Sequence, residues 1–172
     1  TGLEDALAAL LEALAKRQRE MAHNEKMAAT DALKAAVDEL AAKWKKEVDD
    51  EASGLRAKVA NGELGNSQAE TQKLLDDYRK DHVGTKKPKW ADQKADIEAK
   101  RRDVDARRAD EGREPAVWEP SGAALSSAWS DLAKDGAAYE KALLDKLGQL
   151  KEEEKERLRR LALLENAKSR LA

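Results

Sequence analysis

Neither proline nor glycine occurs between Leu3 and Ser53. Proline removes a helical hydrogen bond and clashes with the preceding turn, and glycine costs about 1 kcal/mol in a helix interior, so nothing here interrupts a helix. The apolar residues keep helical spacing. Leu3, Leu7, Leu10, Leu14, Arg17 and Met21 fall at alternating steps of four and three, a heptad seam with one polar member. A second seam runs through Leu33, Val37, Leu40, Trp44, Val48, Glu51, Leu55 and Val59. The two are out of phase, because Leu33 lies 12 residues beyond Met21 where an unbroken repeat would place a seam position at 11 or 14. The stripe changes face within 22–32 while the backbone has no cause to break, which predicts one long helix shared by two bundles.

That helix is expected to end near Ala60, where Asn61-Gly62 and Gly65-Asn66-Ser67 supply turn residues. Ser67 is the expected N-cap of the next helix, with Glu70 in capping-box spacing. The second helix, about 67–110, has a thinner seam through Leu74 or Leu75, Tyr78, His82, Trp90, Ile97 and Val104. Gly84 and Pro88 predict a kink or short break at 84–88. The pairs Arg101-Arg102 and Arg107-Arg108, interleaved with acids, read as solvated faces. Gly112, Pro115, Pro120 and Ser121 mark a loop at 111–121 in which Val117 and Trp118 are expected to tuck against the bundle. A third helix follows on Leu125, Trp129, Leu132, Gly136, Tyr139, Leu143, Leu147 and Leu150. Its seam lapses over the charged stretch 151–157 and resumes at Leu158, Leu161, Leu164 and Leu171.

The lapse at 151–157 repeats the phase break at 22–32, and their midpoints are roughly 127 residues apart. The pattern predicts an all-α fold, an antiparallel three-helix bundle whose long helices continue into neighbouring repeats. Residues 1–26 would be the last helix of a preceding repeat, 27–153 a complete repeat, and 154–172 a helical extension starting the next. With Thr1 in place of an initiator Met, the chain is expected to be a piece of a longer protein.

Composition narrows the function. With 33 Lys+Arg against 35 Asp+Glu the net charge is -2, which argues against a uniformly basic nucleic-acid binder. The absence of cysteine removes disulfides, thiolate metal sites and a cysteine nucleophile, and suits a reducing cytoplasm. The longest apolar run, 6–11, is far short of the roughly 20 residues a membrane span needs. Asp49-x-Glu51-x-Ser53-Gly54 resembles the start of a calcium loop, but Ala60 stands where the bidentate Glu belongs and Arg56 where an apolar anchor does. His23 and His82, the only histidines, lie on different helices, and Ser126, Ser127 and Ser130 have no neighbouring His. No enzyme, cofactor or metal site is expected.

Leu74-Leu75-Asp76-Asp77-Tyr78 with Pro88 ten residues on, followed by Ser126-Ser127-Ala128-Trp129-Ser130-Asp131-Leu132, resembles the last spectrin-like repeat of α-actinin rods. In that family the middle helix carries a Leu-x-x-Tyr element and then a Lys-x-Pro-like kink, and the third helix opens on Trp-x-x-Leu. Here Lys86 or Lys87 with Pro88 stands at the kink and Trp129 with Leu132 at the signature. The resemblance covers essentially the whole chain, which departs from it in its alanine content, the late Trp44 and the proline-bearing loop. It implies a structural rod, spacer and dimerisation module of an actin cross-linking (bundling) protein in the cytoplasm and cytoskeleton. In that family, calponin-homology domains before the rod bind actin, EF-hands after it sense calcium, and two rods form an antiparallel homodimer. Actin would then be bound through domains outside this chain. The other class consistent with these helices is a coiled-coil or spectrin-like scaffold or adaptor, not linked to actin, that presents a charged groove to a partner helix.

Seam positions make Leu40, Trp44, Tyr78, Ile97, Trp129, Leu132, Tyr139 and Leu143 the expected core. Leu10, Leu14, Leu161 and Leu164, on seams without partners in this chain, are the expected dimer contacts. Trp90, just past the kink, joins them as a candidate inter-subunit hot spot.

Overall fold

The computed structural model describes residues 1–171 and is built of helices and turns, with no strand among the described residues. Helix α1 spans Gly2–Ala60 and α2 spans Gln68–Asp77; a π-helical segment, Tyr78–Lys86, leads directly into α3, Lys87–Asp110, and α4 spans Gly122–Leu171. α1 passes through 22–32, and α4 through 151–157, without interruption. No helix is long and apolar enough to cross a membrane among the described residues.

Two helices end on the same device. Past α1 the Gly62 N–H donates to the Val59 carbonyl at 3.2 Å and Glu63 N–H to that of Lys58 at 2.9 Å; past α3 Gly112 N–H reaches Ala109 at 3.0 Å and Arg113 N–H reaches Arg108 at 2.8 Å. Both are Schellman closures, which need a left-handed residue just past the helix, and Gly62 and Gly112 have φ of 67° and 74°. Gly65 is required twice over, by its φ of 86° and because a Cβ there would lie 2.7 Å from the Thr71 hydroxyl. Ser67 then caps α2 by accepting from Glu70 N–H at 3.1 Å. The Glu70 carboxylate reaches back to the N–H of Asn66, one residue before the cap, at 2.7 Å.

The kink expected at 84–88 is not a break. The chain stays helical and widens into nine π-helical residues, 78–86. In the stripe around it, Thr71, Leu75, Tyr78 and His82 are buried at steps of four, three and four, and the next buried residue is Trp90, eight positions past His82 instead of seven. A wider turn absorbs that one extra residue and keeps Trp90 on the same face. Local chemistry permits the widening: the Thr85 hydroxyl donates to the Lys80 carbonyl at 3.1 Å, and Lys87 N–H donates to that of His82. Pro88, which has no N–H to give, stands just beyond.

The described residues form two compact units, 1–44 with 93–125, and 45–92 with 126–171. In the first, Val37, Ala41 and Trp44 of α1, Ile97 and Val104 of α3, and Leu125 of α4 are buried. In the second the core is built from Val48, Ala52 and Leu55, then Leu75, Tyr78 and Trp90, then Ala128, Leu132, Tyr139, Leu143 and Leu147.

Leu40 does not belong to the core: it is 42% exposed and Ala41 is buried in its place. From Val37 the buried positions run 41, 44, 48, 52 and 55, five steps over 18 residues, which is the 3.6-residue period of a straight helix. The heptad assumption of 3.5 selected 40 and 51 instead. Glu51, the seam's polar member, is only half buried.

Candidate functional site

The most chemically concentrated part of the second unit is centred on the π segment. His82 is 4% exposed, with its Nδ1 2.9 Å from Glu51 Oε1, and the other oxygen of that carboxylate lies 3.3 Å from Lys86 Nζ. One acid on α1 therefore holds two side chains of the widened helix. The imidazole stacks on Tyr78, with centroids 5.0 Å apart and planes 13° from parallel, and meets Trp90 edge-on at 6.2 Å. The Trp90 indole N–H donates to Glu47 at 3.3 Å. Tyr78 packs edge-to-face on Tyr139 at 5.3 Å, an arrangement aromatic quadrupoles favour. A cavity of about 220 Å³ lies against this cluster.

Gly136 of α4 makes the close approach possible, because a Cβ there would sit 2.7 Å from the Tyr78 hydroxyl. Surface pairs frame the cluster: Arg56 with Asp135 at 3.1 Å and Arg79 with Glu140 at 3.0 Å. Burial alone would raise the Glu51 carboxyl, but the hydrogen bond to His82 and the charge of Lys86 outweigh it and hold the group below the ordinary carboxylate range. Burial pushes the Tyr78 phenol up, and Glu140 and Glu51 add to it, so it stays protonated.

The first unit has its own polar cluster, which fixes the loop between α3 and α4. Thr30, 2% exposed, donates its hydroxyl to Glu111 at 2.6 Å, and Arg113 bonds both Glu111 at 2.6 Å and Asp31 at 2.8 Å. The Thr30 hydrogen bond, with help from Arg113, keeps the Glu111 carboxyl low. Asp105 takes the Ala116 N–H at 2.8 Å and the Trp118 indole N–H at 3.2 Å. The Trp118 ring is flanked by two cations, Arg101 at 5.0 Å and Lys34 at 5.5 Å.

Two expectations for this region are corrected. Arg101 is not part of a solvated face but 6% exposed, because it bonds the Pro120 carbonyl at 2.6 Å while covering Trp118. Val117 is 83% exposed, while its neighbour Trp118 is half-buried.

Of the expected core residues, Trp44, Tyr78, Ile97, Leu132, Tyr139 and Leu143 are buried; Trp129 is half-buried and Leu40 exposed. Among the expected dimer contacts Leu10, Leu14, Leu161 and Leu164 are exposed, but Trp90 is 7% exposed, engaged with His82 and Glu47 and not presented to a second subunit. The calcium-loop lookalike at 49–60 is continuous helix, with Asp49 paired to Lys45 at 2.6 Å. Among the described residues no group of three or more His, Cys, Asp or Glu could hold a metal ion.

The Glu51–His82 pair was visible as two separate facts, a polar member in each of two seams. A charge that interrupts an apolar seam needs a partner from the seam opposite, and that rule would have joined them.

No family model, no curated protein and no solved structure matches the chain.

Proposed function

We propose that the chain is a helical spacer and self-association module of an α-actinin-like actin cross-linking protein, working in the cytoplasm on the cytoskeleton. It is read as a spectrin-like three-helix repeat with its long helices running into neighbours, and actin is contacted through domains outside it. One observation carries this reading: α1 and α4 each run unbroken past the packed stretches while keeping leucines on their surface. Leu10 and Leu14 in one, and Leu161 and Leu164 in the other, are 44% to 57% exposed. Exposed leucine stripes on continuous helices are what modules that complete one another leave open when taken singly.

Charge supports self-association of two copies in antiparallel sense. Residues 1–14 carry Glu4, Asp5 and Glu12 and no base, whereas 157–171 carry five bases and Glu165 alone. Laid antiparallel with Leu3 and Leu10 facing Leu171 and Leu164, the acidic end of one copy runs along the basic end of the other.

The test is a fusion of a calponin-homology actin-binding pair to the N-terminus. The fusion should pellet actin filaments at low speed as bundles, while the pair alone only decorates them. A fusion that binds filaments without bundling them overturns the cross-linking reading and leaves the scaffold that is not linked to actin. Sedimentation equilibrium of the chain itself should give a dimer at micromolar concentration; a monomer at about 100 μM removes self-association.

A further inference from the structure

The π segment is the least ordinary element of the second unit, and its surroundings explain both why it exists and how it is held. Helices with i→i+5 bonds are rare and occur mostly as single-turn bulges inside α-helices. Nine residues, 78–86, form one here. The stripe identifies the cause: His82 and Trp90 are both buried and stand eight residues apart, one more than two α-helical turns can put on the same face. If the segment were α-helical, either Trp90 or the His82–Tyr78 stack would rotate by about 100° out of the core. Side chains buried on both sides thus force the extra residue to be stored between them.

The stored residue is clamped from α1. Both oxygens of Glu51 are engaged, one by His82 near the middle of the segment and one by Lys86 at its end. Inside the segment Gly84 presents no side chain, and a Cβ there would come within 3.2 Å of the Arg79 carbonyl.

We propose that the π segment is a built-in yield point of the second unit, a one-residue insertion held closed by Glu51, which opens while α2 and α3 on either side stay helical. It does not depend on the actin reading and would hold for any protein carrying this unit. Glu51 is a positioning residue: it acts on the segment through His82 and Lys86. Local opening free energies differ within one fold, and the weakest units have few buried contacts and solvent-exposed backbone hydrogen bonds; of the nine residues 78–86 only Tyr78 and His82 are buried.

Hydrogen exchange followed by mass spectrometry on the intact chain tests this. Amides of 79–87 are expected to exchange at least about tenfold faster than those of 70–76 and 94–104. Glu51→Gln should quicken 79–87 several-fold further and leave the flanks unchanged. Deletion of Gly84 restores the seven-residue spacing, so the deletion variant should fold with undiminished helical circular dichroism and slow the segment to the rate of its neighbours. Gly84→Ala separates register from glycine flexibility: it keeps the extra residue, so 79–87 should still exchange faster than the flanks.

Parent exchange in 79–87 as slow as in the flanks overturns the proposal. So does a deletion variant that unfolds or still exchanges fast, because the register argument requires both halves of the stripe to remain in phase. Slowing by Gly84→Ala alone to the rate of the flanks would assign the weakness to the glycine and overturn it as well.

Discussion

Within α1 the stretch that packs turns Val37, Ala41, Trp44, Val48, Ala52 and Leu55 inward, whereas the stretch from Leu3 to Leu14 carries five leucines that are all at least half exposed. The more leucine-rich stripe is the uncovered one. Helical spacing says which face of a helix is apolar; whether that face is covered depends on a second stripe arriving opposite it with matching volume. Small residues belong to the packed stretches too: Ala41 and Ala52 of α1 are buried, and Gly136 of α4 leaves the room that the Tyr78 hydroxyl takes.

Substitution of leucines should separate the two regions most widely. Leu143→Ala, at a site with no exposed surface, should cost about 2–5 kcal/mol in denaturant unfolding, while Leu10→Ala should change stability by less than about 0.5 kcal/mol. Equal costs would mean that the stripe at the start of α1 is covered in solution. Next in size is Gly136→Ala, expected to cost about 1–3 kcal/mol because the new methyl meets the Tyr78 hydroxyl. Tyr78→Phe in the same chain should recover part of that loss, and a double variant no better than the single would place the strain elsewhere.

Glu51→Ala should cost about 1–3 kcal/mol by leaving His82 buried without its acceptor. The pH dependence has a definite sign. The folded Glu51 carboxyl titrates below its ordinary value, about 4.3, so its contribution is complete above roughly pH 5 and is lost as pH falls through the lowered folded value. Stability curves of the parent and of Glu51→Gln should therefore converge toward acid; curves that stay parallel from pH 7 to pH 3 would refute this. Smallest in its effect on the fold is the pair Leu10→Glu with Leu164→Glu, which should leave unfolding within about 0.5 kcal/mol of the parent yet abolish any dimer seen by sedimentation.

The helices and their turns were largely legible in the sequence, because the signals are local. Ser67 with Glu70, Gly62 and Gly112 each act within a few residues of where they stand. The core was legible at Trp44, Tyr139 and Leu143, but an assumed heptad misplaced Leu40 by one position, since 3.5 and 3.6 diverge only over several turns. What could not be read depended on residues far apart in the chain. Arg101 looks like any charged helix residue until Trp118 and the Pro120 carbonyl are brought to it. Trp90 looks free until His82 and Glu47 are seen beside it. The π segment sits between these cases: the eight-residue gap from His82 to Trp90 is written in the sequence, yet it signals a wide turn only once both residues are known to be buried.

The unbroken course of α1 carries a consequence for direction. At about 100° per residue, the stripe from Leu3 to Met21 points about half a turn away from the one formed by Thr30, Val37, Ala41 and Trp44. On α4 the same reckoning keeps Leu158, Leu161 and Leu164 on nearly the azimuth of Leu143 and Leu147. Any helix that covers the start of α1 must therefore approach from behind, on the side turned away from the residues α1 buries at home. Whatever covers the end of α4 meets the face that helix already uses.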